Sequence, residues 1–248
     1  MTLRLLTLGV GDVFSARHYS TSFAVESNGH WLLVDCPHPM RKMLREAAAR
    51  AGLDLDLDAL TGVVVTHLHA NHTSGLESVG CFNHFALKRR ATLLSHPLVA
   101  ARLRADSLAD GLAQLEPSGD DEPETKTFAD FFDHVPLDET REVAFGPFAI
   151  SCRRTVRRIP TTALRIEAGS RSLAYSADTA FDQGLIDWLC QSDLVLHETG
   201  YGLHTPYEKL AALPAHLRAK MRLIHYPDGH VGDPMVLQTL EEGVLYDV

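Results

Sequence analysis

The segment Thr66-His67-Leu68-His69-Ala70-Asn71-His72 places three imidazoles within six residues. Neutral imidazole is the commonest protein ligand for zinc and similar ions, and three rings at one strand end can converge on a single point. A metal held there would activate a water for attack on an ester or phosphoryl centre. A solvated His-rich turn is the plainer reading, and the 14 His of the chain make such turns easier to meet. The flanks favour the metal. Gly62-Val63-Val64-Val65 reads as a buried strand, and Thr73-Ser74-Gly75-Leu76 reads as a capped helix start.

The elements that must position these residues are legible in part. Residues 3–8 read as a strand, and 21–26 with 31–35 as a hairpin turning at Asn28-Gly29. Residues 39–51 read as a helix closed by Gly52. The Leu/Asp alternation over 53–58 lacks the Gly and terminal Glu of a calcium loop, so it reads as a loop or helix lead-in. A strand at 92–95 and a helix at 97–103 come next. Residues 106–142 turn acidic and contain Pro117-Ser118-Gly119-Asp120-Asp121-Glu122-Pro123, which predicts a mobile surface insertion; a lid or a dimer contact is the other reading. Residues 142–156, broken by Gly146-Pro147, read as a hairpin, as do 164–167 and 172–176 around Gly169-Ser170. Helix 182–190, strand 194–197, two short helices about Pro214 and strand 222–225 complete the chain. Two groups of strands, each mixed with helices, suit two packed sheets with helices outside.

Bulk properties narrow the class. The chain has 248 residues, of which 45% are hydrophobic and 22% charged, as in an ordinary globular protein; one domain over 1–248 is the simplest division. No apolar run is long enough to span a bilayer, and the first residues lack a signal-peptide layout. Cys36, Cys81, Cys152 and Cys190 are far apart and form no Cys-x-x-Cys pair, which predicts reduced thiols in a cytoplasmic protein. A formal net charge of -9 argues against a nucleic-acid binder. A small anionic molecule is the expected partner, and a homo-oligomer is left open.

The His-rich segment resembles the HxHxDH signature of the metallo-β-lactamase fold, with Asn71 at the Asp position. Leu32-Leu33-Val34-Asp35-Cys36 resembles the family's strand and turn before the first helix, and Ala174-Tyr175-Ser176-Ala177-Asp178-Thr179 and Leu223-Ile224-His225-Tyr226 resemble later segments, all in the family's order. The resemblance covers nearly the whole chain and implies an α+β, four-layer αββα sandwich. It implies His67, His69, His72, Asp178 and His225 as metal ligands, with Asp178 bridging two ions. Leu196-His197-Glu198-Thr199 with His204-Thr205 resembles ribonuclease Z and related phosphodiesterases, where a Glu–His pair helps protonate the leaving oxygen; here the pair would be Glu198 and His204. A helix-capping Glu with a surface His is the plainer account of those two.

Two departures carry chemical weight. Asn71 offers a metal a dipole where a carboxylate would bring a full charge. The family's third His falls in Thr155-Val156-Arg157-Arg158-Ile159-Pro160, with Arg157 at the aligned position. Guanidinium stays protonated and cannot ligate, but it can bind a substrate anion or carry part of a missing metal's charge. Arg157 and Asn71 are therefore candidate substrate-binding residues. In a strand, Arg153 and Arg157 would share one face. The expectation is a hydrolase holding zinc, manganese or iron, with fewer than two ions bound tightly, acting on a phosphodiester or related anionic ester. A member of the fold that binds an anion or a partner protein without turnover, and a thioester or lactone hydrolase, are the other readings.

Overall fold

Near-continuous apolar runs such as Leu32-Leu33-Val34 and Val63-Val64-Val65 give strands that are buried on both faces, so the sheets must be covered twice. The computed structural model describes residues 2–103, 126–230 and 232–248. The first sheet contains β1 (Arg4–Gly9), β2 (Ser22–Ser27), β3 (His30–Val34), β4 (Leu60–Val65), β5 (Ala91–Ser95), β6 (Phe132–Pro136) and β14 (Leu245–Asp247). The second contains β7 (Val143–Phe145), β8 (Phe148–Arg154), β9 (Thr162–Ala168), β10 (Arg171–Tyr175), β11 (Leu194–Glu198), β12 (Met221–Ile224) and β13 (Gln238–Thr239). Their spatial orders are β14-β1-β2-β3-β4-β5-β6 and β13-β12-β11-β10-β9-β8-β7.

Each sheet is antiparallel in one half and parallel in the other. Strands β3 to β6 run parallel, as do β10 to β13. Parallel neighbours end on the same side, so the segments after β3, β4, β10, β11 and β12 can meet in one place. That is where ligands bind in open parallel sheets.

Alternation divides the core. Leu5, Phe23, Val25, Leu32, Val34 and Val64 face Ile150, Leu164, Ile166, Leu173 and Tyr175 across the space between the sheets. Their sequence neighbours Leu6, Leu8, Ala24, Leu33, Val63 and Val65 face outward onto Met40, Met43, Leu44 and Ala47 of α1 (Met40–Arg50). Helix Gln183–Leu189 is started by Asp182, whose Oδ1 accepts from the Gly184 and Leu185 amides, and it buries Leu185, Ile186 and Leu189. The result is the αββα sandwich that the resemblance implies. Phe23 and Tyr175 meet edge to face at 5.1 Å, one from each sheet. Phe23→Ala would leave a cavity at that contact. The expected loss is about 3–5 kcal/mol, read as a lowered denaturant midpoint with unchanged slope.

Three expectations change. The helix expected to start near Thr73 is preceded by a separate turn, α2 (Ala70–Thr73), so His72 lies within a helix and His69 is its N-cap. Of the acidic stretch 106–142, residues 106–125 lie outside the described residues, whereas Phe128–Phe131 is helical and Phe132–Pro136 pairs with β5 along five residues. The arginine-rich strand ends at Arg154. Arg153 and Arg157 therefore share no strand face; Arg154 pairs with Glu139, and Arg153 donates to the Gly184 carbonyl.

Candidate active site

Strand ends bring most of the expected residues to the wall of one cavity, with His67, His72 and Glu198 buried outside its lining. It measures about 410 Å³ and is lined by Val13, His69, Asn71, Arg157, Asp178, Leu203, His204 and His225, among others. The backbone there is bent: Asp35, Ala177 and His225 have φ of 58°, 48° and 55°, and each follows a strand of the parallel halves. Non-glycine residues in the left-handed region cost energy and persist where the surroundings over-determine them. At His225 the bracing is visible. The Tyr226 amide donates to the Val10 carbonyl, and the Asp12 amide donates back to Tyr226.

Asp35 anchors the His-rich segment. Its carboxylate accepts from the amide and hydroxyl of Thr66 and lies 2.8 Å from His72 Nδ1. A carboxylate only accepts, so Nδ1 carries the proton and, in the neutral ring, the lone pair sits on Nε2; burial lowers the His72 pKa, and Asp35 with the other carboxylates more than offsets that. The Thr66 hydroxyl, donating to Asp35, can accept from His67 Nδ1 at 3.0 Å, which leaves the lone pair on His67 Nε2, 3.1 Å from His69 Nδ1. The loop is also pinned by the Cys36 amide, which donates to the His72 carbonyl, and by the Gly75 amide, which donates to Cys36. A Cβ on Gly75 would strike the Pro37 carbonyl, so only glycine allows this approach. Asp35 escapes a reading of the sequence, where it is one carboxylate at a strand end. Its position just after the apolar run Leu32-Leu33-Val34 is the signal that could have found it.

Asp178 is the hub. Oδ1 lies 3.5 Å from His72 Nε2 and 3.5 Å from His225 Nε2; Oδ2 lies 3.5 Å from His67 Nε2 and 3.8 Å from His69 Nδ1. Arg157 Nη2 donates to Oδ2 at 2.7 Å. Asn71 Nδ2 is 3.5 Å from His225 Nε2. The aligned residues are thus all brought together, Arg157 included. Burial would raise the Asp178 carboxyl, but His225, His67, His69 and His72 around it hold it well below the usual range. Burial pushes His67 down to about 4 and His225 down to about 3, so both rings are neutral donors of a lone pair.

These donors suit a metal. His72 Nε2 and Asp178 Oδ1 are buried, face each other, and have no hydrogen-bond partner among the described residues. Buried polar atoms rarely stay unpaired without a functional reason. His67, His72 and Asp178 form one compact set of ligand atoms, and Asp178, His204 and His225 form another.

His204 Nδ1 lies 2.6 Å from Glu198 Oε2, and Glu198 Oε1 accepts from the Thr179 amide. Burial raises the Glu198 carboxyl, and its bond to His204 opposes that; burial lowers His204, and the Glu198 carboxylate more than compensates. Neither is a surface residue capping a helix: Glu198 is buried at the end of β11, and the His204 ring stacks on His225 at 5.2 Å. A second cavity of about 590 Å³ adjoins the first through His69, Arg157 and Leu203, and its other walls include Val156, Ile159 and Ala180.

The two mixed sheets, the flanking helices and a His/Asp cluster at the parallel strand ends define a metallo-β-lactamase-fold protein. Among solved structures, YhfI from Bacillus subtilis, itself a metallo-β-lactamase-fold protein, superposes with a TM-score of 0.78 at 16% identity, covering 100% of both chains. A diphosphatase of the PhnP family gives 0.71 at 14% identity, over 100% of this chain and 98% of that one. Residues 3–239 match the family described as Anti-Pycsar protein Apyc1, and the chain belongs to it. A relative of that name from Bacillus phage 010DV004 is 32% identical over 242 residues, spanning 92% of this chain and 90% of its own length. Among the described residues, no helix is long and apolar enough to cross a membrane.

Proposed function

We propose that this chain is a metal-dependent hydrolase of small anionic esters, with phosphodiesters as the leading class. The observation that supports it most is the pairing of unpartnered buried ligand atoms on His72 and Asp178 with a His204–Glu198 dyad, Asp178 and His204 lining the same cavity. Zinc, manganese or iron held by His72, Asp178 and His225 would supply an activated water near neutral pH. His204 gives its proton to the leaving oxygen, and Glu198 fixes Nδ1 so that Nε2 carries that proton. Arg157 and Asn71 hold the anionic group, and the adjoining cavity walled by Val156, Ile159 and Ala180 takes the substrate's less polar part. The cavity volumes suit a small molecule, and a net charge of -9 disfavours a nucleic-acid polymer. The relatives are named for an action against Pycsar, and for this chain that action would run through the same cavity.

Anion binding without turnover has one observation in its favour, the Arg157 guanidinium already seated on Asp178. The test is an assay of metal-loaded, folded protein against phosphodiesters, thioesters and lactones, with zinc, manganese and iron in turn. Turnover of bis-p-nitrophenyl phosphate or of cyclic and linear nucleotide diesters is the expected result. Turnover of thioesters or lactones alone would overturn the substrate class. Ligand binding with no turnover of any of them would establish the non-catalytic alternative.

A further inference from the structure

The two oxygens of Asp178 have different company. Oδ1 faces His72 and His225 and has no hydrogen-bond partner, whereas Oδ2, which faces His67 and His69, accepts from Arg157 Nη2 at 2.7 Å. The Arg157 side chain is 8% exposed, so its charge belongs to the site and not to the solvent. Its backbone is also tied down. The Thr155 hydroxyl donates to the Asp178 carbonyl at 2.7 Å, the Ala180 amide donates to the Val156 carbonyl, and the Arg157 amide donates to Thr155. The segment that carries the guanidinium and the segment that carries the carboxylate are laced together on both sides of the ion pair.

We propose that the Arg157 guanidinium stands in the place of a second metal ion, so that the site holds one exchangeable cation and one built into the chain. The proposal rests on the reading of His72, Asp178 and His225 as metal ligands. A divalent ion between His67, His69 and Oδ2 would have to displace a short charge-assisted bond and sit beside a permanent positive charge in a buried place, where repulsion is poorly screened. An ion at Oδ1 displaces no such bond and lies farther from the guanidinium. Arg157 also lines both adjoining cavities, so a substrate anion spanning them would meet the metal on one side and guanidinium donors on the other. His67 and His69 then serve as walls of the anion site, His67 being held in place through Thr66.

The test counts ions. Full-length chain loaded with zinc and freed of excess should retain about one ion per chain, and Arg157→His should raise that to about two, because it removes the cation and adds an imidazole. Elemental analysis and calorimetric titration give the number, and thermal melting verifies that the variant is folded. Crystals of the unaltered chain soaked in zinc provide the same answer without a variant: one anomalous peak beside His72 and His225, none between His67 and His69. Two ions on the unaltered chain would overturn this proposal while sparing the hydrolase reading. No ion at all would overturn both. A folded Arg157→His that still holds no more than one ion would also overturn it.

Discussion

Asp178→Ala is expected to abolish metal retention and, in the metal-free chain, to cost about 3–5 kcal/mol of stability. The first effect follows from the hub geometry. Asp178 is the carboxylate that both proposed imidazole ligands, His72 and His225, face at 3.5 Å, and without it only two imidazoles remain. Loss of a group that merely orients a ligand weakens metal binding by about 10- to 100-fold, and loss of a shared anionic ligand should exceed that. The second effect comes from Arg157. Its guanidinium is nearly buried, and Asp178 is its ion-pair partner at 2.7 Å. Removing one half of a buried pair strands the other charge, which costs more than removing both. The double change Asp178→Ala with Arg157→Met should therefore regain most of the lost stability while still failing to retain metal. Chemical denaturation in the presence of a chelator measures the first quantity, and elemental analysis the second. A double variant no more stable than Asp178→Ala would show that Arg157 is not held there by charge.

The sequence exposes what is compact and hides what only folding assembles. His67, His69 and His72 are conspicuous because three imidazoles fall within six residues, and the apolar run before them places them at a strand end. Asp178, Glu198, His204 and His225 carry no such signal. Each is a single residue after or at the end of its own strand, and only the order of motifs in a known family singles them out. Asp35 falls in one of those motifs, but its role stays hidden, because its work is done through a 2.8 Å contact with a residue 37 positions away. Strand-forming alternation recovers most of the two sheets, since buried strands must keep apolar residues on a fixed period. It fails at β6. There an acidic composition extending to residue 142 masks the five residues Phe132–Pro136, although Phe131 and Phe132 are both buried. It fails again at α2, where a single helical turn is too short to show periodicity and the Ser/Thr-rich stretch behind it looks like the true start.

His204→Ala should lower kcat by about 10²- to 10⁴-fold for phosphodiesters with alkoxide leaving groups, and far less for those releasing p-nitrophenolate. An alkoxide is a strong base and leaves poorly unless a proton reaches it in the transition state; an activated phenolate needs little such help. The residue is built for that transfer. Glu198 takes Nδ1 at 2.6 Å and is itself fixed by the Thr179 amide at 2.7 Å, so the imidazole presents Nε2 and is kept protonatable by a buried carboxylate. Glu198→Gln should move the rate in the same direction, because an amide can hold the ring but no longer stabilises its charged form. The comparison across leaving groups matters because His204 also lies within ligand reach of Asp178 and His225. If it serves as a metal ligand, His204→Ala will deplete bound metal and depress both classes of substrate equally. If it serves as the acid, the metal content will be unchanged and the two classes will separate. Arg157→Met, in contrast, should show its loss in KM where the guanidinium grips only the ground state, and in kcat where its grip tightens as charge develops on the phosphoryl oxygens. A loss for His204→Ala that is the same for alkoxide and p-nitrophenolate leaving groups, with metal content intact, would remove the general-acid role from this residue and leave the dyad as a support for His225, on which its ring is stacked.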